Sequence, residues 1–281
     1  MYTRPGSIEE AVAALAGSDA LVICGGTDVY PAHAGRRVTK PVVDLSAVAS
    51  LRGIAMDRNL IRIGGATTWT DIVAADLPAA FDGLKAAARE VGSIQIQNRG
   101  TIAGNLCNAS PAADGVPPLL TLDAAVELHS AQGIRQLPLS SFITSYRKTA
   151  IAPGEILAAV TVPVQSPRAR GAFVKLGARR YLVISILMAA ALIERDGDGR
   201  IVEAAIAVGS ASPVAQRLRA LERDLVGLKP GIAPSSIIQA HHLDVLSPID
   251  DVRATANYRL DAARTIAGEA LDRAAGVWSV D

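Results

Sequence analysis

Two short apolar runs near the start of the chain stop abruptly at a glycine pair, and this repeated arrangement limits the fold more than any other feature. Leu21-Val22-Ile23-Cys24 runs into Gly25-Gly26-Thr27-Asp28, and Leu60-Ile61-Arg62-Ile63 runs into Gly64-Gly65-Ala66-Thr67-Thr68. An apolar run with β-branched residues reads as a buried strand, and a glycine pair reads as a tight turn in which no Cβ obstructs the backbone. Helical stretches separate these strands. Ser7-Ile8-Glu9-Glu10 has the capping-box spacing and opens an Ala-rich helix to Leu15, while Trp69–Ala75 and Leu84–Val91 have helical composition. Val42-Val43-Asp44-Leu45 is a further strand, so helices and strands alternate through the first hundred residues.

From Gly92 to Asp123 the composition turns to Gly, Asn, Ser, Pro and small apolar residues, and predicts a long irregular loop of functional importance. Strands resume at Ala125–His129, Leu157–Val164 and Ala172–Leu176, bounded by Gly and Pro. Ser166-Pro167-Arg168 is the best domain boundary, giving domains 1–167 and 168–281, with a break near 55–59 inside the first. Beyond it, Ile184–Glu194 and Arg200–Val208 flank Asp196-Gly197-Asp198-Gly199 as a hairpin, and Ala215–Val226, Ser235–His242 and Asp250–Ala274 read as helices. The second domain is thus expected to be a sheet covered by helices.

A formal charge of +1 with scattered Lys and Arg gives no support to nucleic acid binding. No apolar run reaches the roughly 18–20 residues of a membrane span, and Met1-Tyr2-Thr3-Arg4-Pro5 lacks a signal-like stretch, so the expected location is cytoplasmic. Two cysteines, Cys24 and Cys107, are too few for an iron–sulfur cluster or a structural zinc site. Cys107 reads as a small packed residue and His241-His242 as a solvated pair on a surface helix. The histidines show no metal-ligand spacing, and no metal site is expected.

The chemistry concentrates in the small-residue loops. Val22-Ile23-Cys24-Gly25-Gly26-Thr27-Asp28-Val29 lets main-chain N–H groups approach a phosphate, with Thr27 adding a hydroxyl. It is neither a G-x-G-x-x-G fingerprint nor a Walker loop. Gly100-Thr101-Ile102-Ala103-Gly104-Asn105 is a second loop of the same kind, and two such loops can grip one diphosphate. The continuation to Asp114 ends in a carboxylate able to accept from sugar or ribityl hydroxyls.

Cys24-Gly25-Gly26-Thr27-Asp28, Asn98-Arg99-Gly100-Thr101-Ile102-Ala103-Gly104-Asn105 and Asn108-Ala109-Ser110-Pro111-Ala112-Ala113-Asp114 together closely resemble the FAD-binding (medium) subunits of the xanthine dehydrogenase and carbon monoxide dehydrogenase family, the molybdenum hydroxylases. The resemblance continues through Lys175-Leu176-Gly177-Ala178-Arg179-Arg180 to Asp250-Asp251-Val252-Arg253 and Tyr258-Arg259. It implies an α+β fold: a two-part FAD-binding domain of vanillyl-alcohol-oxidase type followed by a smaller α/β C-terminal flavoprotein domain. It implies that Val22, Ile23, Cys24, Gly25, Gly26, Thr27, Asp28 and Val29, with Thr101, Ile102, Ala103, Gly104 and Asn105, hold the FAD diphosphate. Asp114 would bind hydroxyls of the FAD chain, Leu157 would lie beside the isoalloxazine, and Lys175 would sit near its polar edge. A cation there stabilises the reduced ring. Ile184 or Tyr181 is the residue against the ring face. Ala103 replaces a glycine common in the family, which would strain a left-handed backbone there.

The same resemblance implies an oxidoreductase subunit that performs only the flavin half-reaction. Electrons would arrive from [2Fe-2S] clusters on a small subunit, after substrate oxidation at the molybdenum cofactor on a large subunit, in a dimer of heterotrimers. The terminal acceptor stays open among NAD, oxygen, a quinone or another carrier. The alternative is a stand-alone flavin oxidoreductase of the same fold.

Overall fold

A computed structural model describes residues 1–277, which form two compact units, each assembled from separate stretches of chain. The first comprises Met1–Ala75, Ser93–Ala109 and Ala124–Val164. The second comprises Asp76–Gly92, Ser110–Asp123 and the chain from Gln165 onward.

In the first unit, β1 (Tyr2–Thr3), β2 (Leu21–Ile23) and β3 (Val42–Asp44) make a parallel sheet in the order β1-β3-β2. The helix Ile8–Leu15 begins at Ser7, whose hydroxyl accepts from the Glu10 N–H at 3.1 Å, as the capping-box spacing predicts. Its buried residues Ala11, Val12 and Leu15 have the i, i+1, i+4 spacing of one helix face and join Val43, Leu45, Val48 and Leu51 in a core cluster. Burying one such leucine stabilises the unit by roughly 1.5–3 kcal/mol. A second, antiparallel sheet runs β4 (Ile54–Met56), β5 (Leu60–Gly64), β10 (Ile156–Pro163), β6 (Ala125–Ser130), β7 (Gly133–Pro138). A small hairpin of β8 (Ile143–Ser145) and β9 (Lys148–Thr149) completes this unit.

The second unit has one antiparallel sheet, β11 (Arg170–Leu176), β12 (Leu187–Arg195), β13 (Ile201–Gly209) and β14 (Gln216–Arg217). Strand β12 is almost wholly apolar because both of its faces are covered. Leu187, Ala189, Ala191 and Ile193 join the core that contains Ala263, Ala267, Ala270 and Leu271 of the helix Ala256–Ala274. Met188 and Ala190 pack instead with Ala87 of the helix Asp82–Glu90. That helix sits so close to β11 that a Cβ on Gly83 would lie 2.8 Å from the Ala172 carbonyl oxygen. A sheet covered by helices is what the sequence predicted.

Several elements differ from the expected ones. The stretch Gly92–Asp123 is not a continuous loop, since it holds helices at Ile94–Gln97, Ile102–Asn108 and Val116–Thr121. The last helix starts at Ala256, capped by Thr255, because residues 250–254 are drawn into a turn around Asp251. The segment predicted as a helix over Ser235–His242 is two 3₁₀ turns, and Ala215–Val226 divides into β14 and the helix Arg219–Leu225. His242 is buried at 2% exposure, not solvated: its Nδ1 accepts from the Gln239 N–H and its Nε2 faces Asp224 at 3.0 Å. Cys107 is exposed, not packed.

Candidate functional site

The first unit brings the two small-residue loops into direct contact. Strand β2 delivers Cys24 and Gly25 to a turn where Gly26 has φ +71°, a left-handed value that favours glycine. A one-turn helix, Val29–Ala32, follows, with the Asp28 side chain making no capping bond. No described residue accepts a hydrogen bond from the backbone N–H of Gly25, Gly26, Thr27 or Asp28. Four successive amides are therefore free to donate. Gly25 itself faces the second loop: a Cβ there would overlap the Arg99 carbonyl oxygen and lie 2.9 Å from its carbon and 3.1 Å from Gly100 Cα. Thr27 Oγ1 stands 3.5 Å from where a Gly100 Cβ would be.

The second loop is organised differently. Thr101 caps the helix Ile102–Asn108, its Oγ1 accepting from the Gly104 N–H at 3.2 Å. The Ile102 N–H donates to Thr67 O, the Ala103 N–H to Gly65 O and the Asn105 N–H to Thr101 O. These donors are committed, so the segment offers side chains instead of amides. Asn105 supplies one: its Oδ1 is buried without a partner among the described residues, an arrangement that is costly unless a ligand satisfies it. Ala103 lies in this helix and outside the left-handed residues, so its Cβ is accommodated without backbone strain.

Gly65 ties Leu157 to this loop. Its N–H donates to Ala158 O at 2.7 Å, at a bulge in the β10–β6 pairing between Leu157 and Ala159, and its carbonyl accepts from Ala103. Leu157 is buried, whereas Val22 and Asp28 are exposed. A cavity of about 180 Å³ opens where the loops meet, lined by Cys24, Gly25, Arg99 and Thr101 and also by Arg4 and Arg52. Arg52 is paired with Asp71 at 2.9 Å, while Arg4 and Arg99 make no ion pair with a described residue. Burial pushes the Cys24 thiol upward, against an opposing hydrogen bond with Thr101, so it stays protonated at neutral pH. The sequence reading missed the three arginines because positions 4, 52 and 99 share no local pattern.

The second unit holds Asp114 and Lys175. Lys175 Nζ donates to Asp114 Oδ2 at 2.7 Å and to the Glu90 carbonyl at 3.0 Å, and both side chains are 7% exposed. Ser185 Oγ donates to Asp114 Oδ1 at 2.5 Å. Burial raises Asp114 above the ordinary carboxylate range, against the downward pull of Lys175 and Ser185. Lys175 is thus ion-paired with Asp114, and Ser185 was not foreseen. Tyr181 and Ile184 are 61% and 55% exposed, and the Arg180 guanidinium lies 5.5 Å from the Tyr181 ring centroid.

The described residues contain one group of three metal-ligand side chains, Asp224, His241 and His242. Because His242 Nδ1 accepts from a backbone N–H, its Nε2 must carry the proton directed at Asp224. The Nδ1 lone pair is spent on Gln239 and Nε2 on Asp224, so both ring nitrogens are engaged within the protein.

Residues 1–165 match the family of the FAD binding domain in molybdopterin dehydrogenase. The chain belongs to that family. Residues 172–274 match the CO dehydrogenase flavoprotein C-terminal domain. The xanthine dehydrogenase FAD-binding subunit of Escherichia coli O157:H7 is 31% identical over 278 residues, covering 97% of this chain and 95% of that protein. The 6-hydroxypseudooxynicotine dehydrogenase complex subunit alpha of Paenarthrobacter nicotinovorans is 33% identical, covering 97% and 93%. Among solved structures, a chain of the Cu,Mo-CO dehydrogenase superposes with a TM-score of 0.91 at 28% identity, covering 99% of this chain and 98% of that one. The family's cofactor on this chain is FAD. Four free amides and an arginine-lined cavity beside them are the donor set that a dinucleotide diphosphate requires, and the unsatisfied Asn105 oxygen is an acceptor for a hydroxyl of such a ligand. No described helix is long and apolar enough to cross a membrane.

Proposed function

We propose that this chain is the FAD-binding electron-transfer subunit of a heteromeric molybdenum hydroxylase. Its partners are a large subunit carrying the molybdenum cofactor and a small subunit carrying [2Fe-2S] clusters, in a cytoplasmic dimer of heterotrimers. The observation that carries this reading is the run of free N–H groups from Gly25 to Asp28, held against the Arg99–Gly100 loop inside the family's FAD domain. When bound, FAD would supply the redox chemistry that links an iron–sulfur partner to a terminal acceptor.

The chain's own residues bind and orient. Val22–Val29 present amides and the Thr27 hydroxyl to the diphosphate, and Thr101–Asn105 support that loop while the Asn105 oxygen accepts from a hydroxyl of the FAD chain. Leu157 gives the ring an apolar neighbour, Asp114 accepts from hydroxyls of the FAD chain, and Lys175 serves the ring's polar edge. Residues 1–167 are the FAD-binding domain and 168–281 the C-terminal flavoprotein domain. Relatives whose names specify xanthine dehydrogenase and 6-hydroxypseudooxynicotine dehydrogenase support a redox role shared across different substrates. The test is visible flavin absorbance of the chain purified alone and after co-expression with its neighbouring reading frames. One FAD per chain is expected, and a colourless, folded chain in both preparations refutes the assignment.

A further inference from the structure

Asp114 and Lys175 face the proposed FAD, whereas Ser185, buried at 2% exposure and bonded to Asp114 across 71 residues of chain, has no role in binding it. A buried carboxylate has two oxygens to satisfy, and here each is held by a different donor: Oδ1 by the Ser185 hydroxyl, Oδ2 by the Lys175 ammonium. Of the three ammonium N–H groups, one goes to Asp114, one to the Glu90 carbonyl, and the third has no partner among the described residues. Three fixed contacts thus aim one remaining donor and hold the carboxyl group of Asp114 against the Lys175 nitrogen. An unlocked pair would behave otherwise. Without the Ser185 bond, the carboxylate can rotate away from Lys175 or take a proton, and either event exposes the positive charge.

We propose that Ser185 is a positioning residue: by locking Asp114 onto Lys175 it sets how much positive charge the flavin meets, and hence the flavin's reduction potential. This rests on the FAD reading given above. The geometry carries it, since the chain of contacts Ser185 → Asp114 ← Lys175 → Glu90 O is complete and lies within one unit.

The experiment is a spectroelectrochemical titration of the flavin in the purified complex, comparing wild type with Ser185→Ala and Ser185→Thr. Uncompensated positive charge favours the reduced ring. Ser185→Ala is therefore expected to favour reduction at least tenfold, a rise of about 30 mV for a two-electron couple. Ser185→Thr, which keeps the hydroxyl, is expected to stay at the wild-type value. In a Lys175→Met background the alanine substitution is expected to move the potential little, because it acts through that ammonium. If Ser185→Ala does not fold, Ser185→Cys, of similar size but a weak donor, is read in its place. A potential unchanged by the loss of the hydroxyl, or a shift that persists without Lys175, overturns the inference and leaves the FAD reading intact. Absence of flavin from the wild type overturns both.

Discussion

Replacing Gly25 by alanine separates the requirements of the two loops more cleanly than any other single change. The residue does not have a left-handed φ, so alanine introduces no backbone strain of its own. The whole effect is steric. Its Cβ would lie 2.9 Å from the Arg99 carbonyl carbon and 3.1 Å from Gly100 Cα, and closer still to the carbonyl oxygen. Ordinary contact begins near 3.4 Å, so the loops must part by at least about 0.5 Å, and the atoms in the way are backbone, which yields poorly. Overpacking of this kind costs about 2 kcal/mol, which lowers Tm by roughly 4–8 °C. Parting the loops also displaces the free amides. Losing two charge-assisted hydrogen bonds at about 1.5 kcal/mol each weakens FAD by about a hundredfold or more. Flavin-quenching titration of deflavinated protein measures the Kd and thermal denaturation measures the Tm. Gly197→Ala, where a Cβ meets nothing within 4 Å, is the control and should change neither. Wild-type FAD affinity in Gly25→Ala would show that the loops need not touch to bind the diphosphate.

Three further outcomes follow from particular contacts. Asn105→Ala removes an oxygen that has no protein partner, so the flavin-free protein should keep or slightly gain stability in urea while FAD affinity falls about tenfold. Arg259→Ala should cost about 1.5–3 kcal/mol in chemical denaturation, because Arg259 is buried and donates to Ser210 O and Asp251 Oδ1, both at 2.7 Å, while Asp251 keeps its pair with Arg253. Glu127 is held below the ordinary carboxylate range mainly by its hydrogen bond from Arg62, with His129 adding to it. A lowered folded pKa contributes stability that is present above the unfolded value of about 4.3 and lost as pH falls through the folded one. Glu127→Gln should therefore lose up to about 1 kcal/mol at pH 7 and show a shallower decline below pH 4.5, read from urea midpoints across pH.

How much of this was legible in the sequence depends on how local the cause was. Strands β2, β3, β5 and β10 were readable because each is a short β-branched apolar run bounded by Gly or Pro, and the Ser7 cap because its partner is three residues away. Strand β7 was missed: Gly133–Pro138 is exposed along nearly its whole length and forms the edge of its sheet, so it carries no apolar alternation. The short helices inside Gly92–Asp123 were hidden by small and helix-breaking residues, although Thr101 was a cap in plain view. The loops of the site were readable as chemistry, whereas Ser185 was not, because its one functional contact spans 71 residues. The Asp251–Arg259 pair was noticed only as a resemblance, and the structure gives it a packing role at the start of the last helix.

The two loops look alike in sequence and do different work, and the hydrogen bonds show why. Gly25-Gly26-Thr27-Asp28 and Gly100-Thr101-Ile102-Ala103-Gly104-Asn105 both read as amide cradles. In the first, every one of four consecutive N–H groups is unspent; in the second, those of Ile102 to Asn105 are all spent on Thr67, Gly65 and Thr101. The spent bonds anchor the second loop to the turn after β5 and, through Gly65, to the bulge in β10. A rigid second loop is what the first one needs, because Gly25 leans directly on the Arg99–Gly100 backbone. The glycines accordingly differ in cost of substitution. Gly104 sits within a helix with only Thr101 Oγ1 near its missing Cβ, at 3.0 Å, and alanine there gains helix propensity of about 1 kcal/mol that offsets the crowding. Gly104→Ala should therefore be close to neutral for folding and bind FAD within a few-fold of wild type, where Gly25→Ala fails. Equal losses in the two variants would mean that the second loop donates its amides after all, and that the cradle has two sides instead of a cradle and its support.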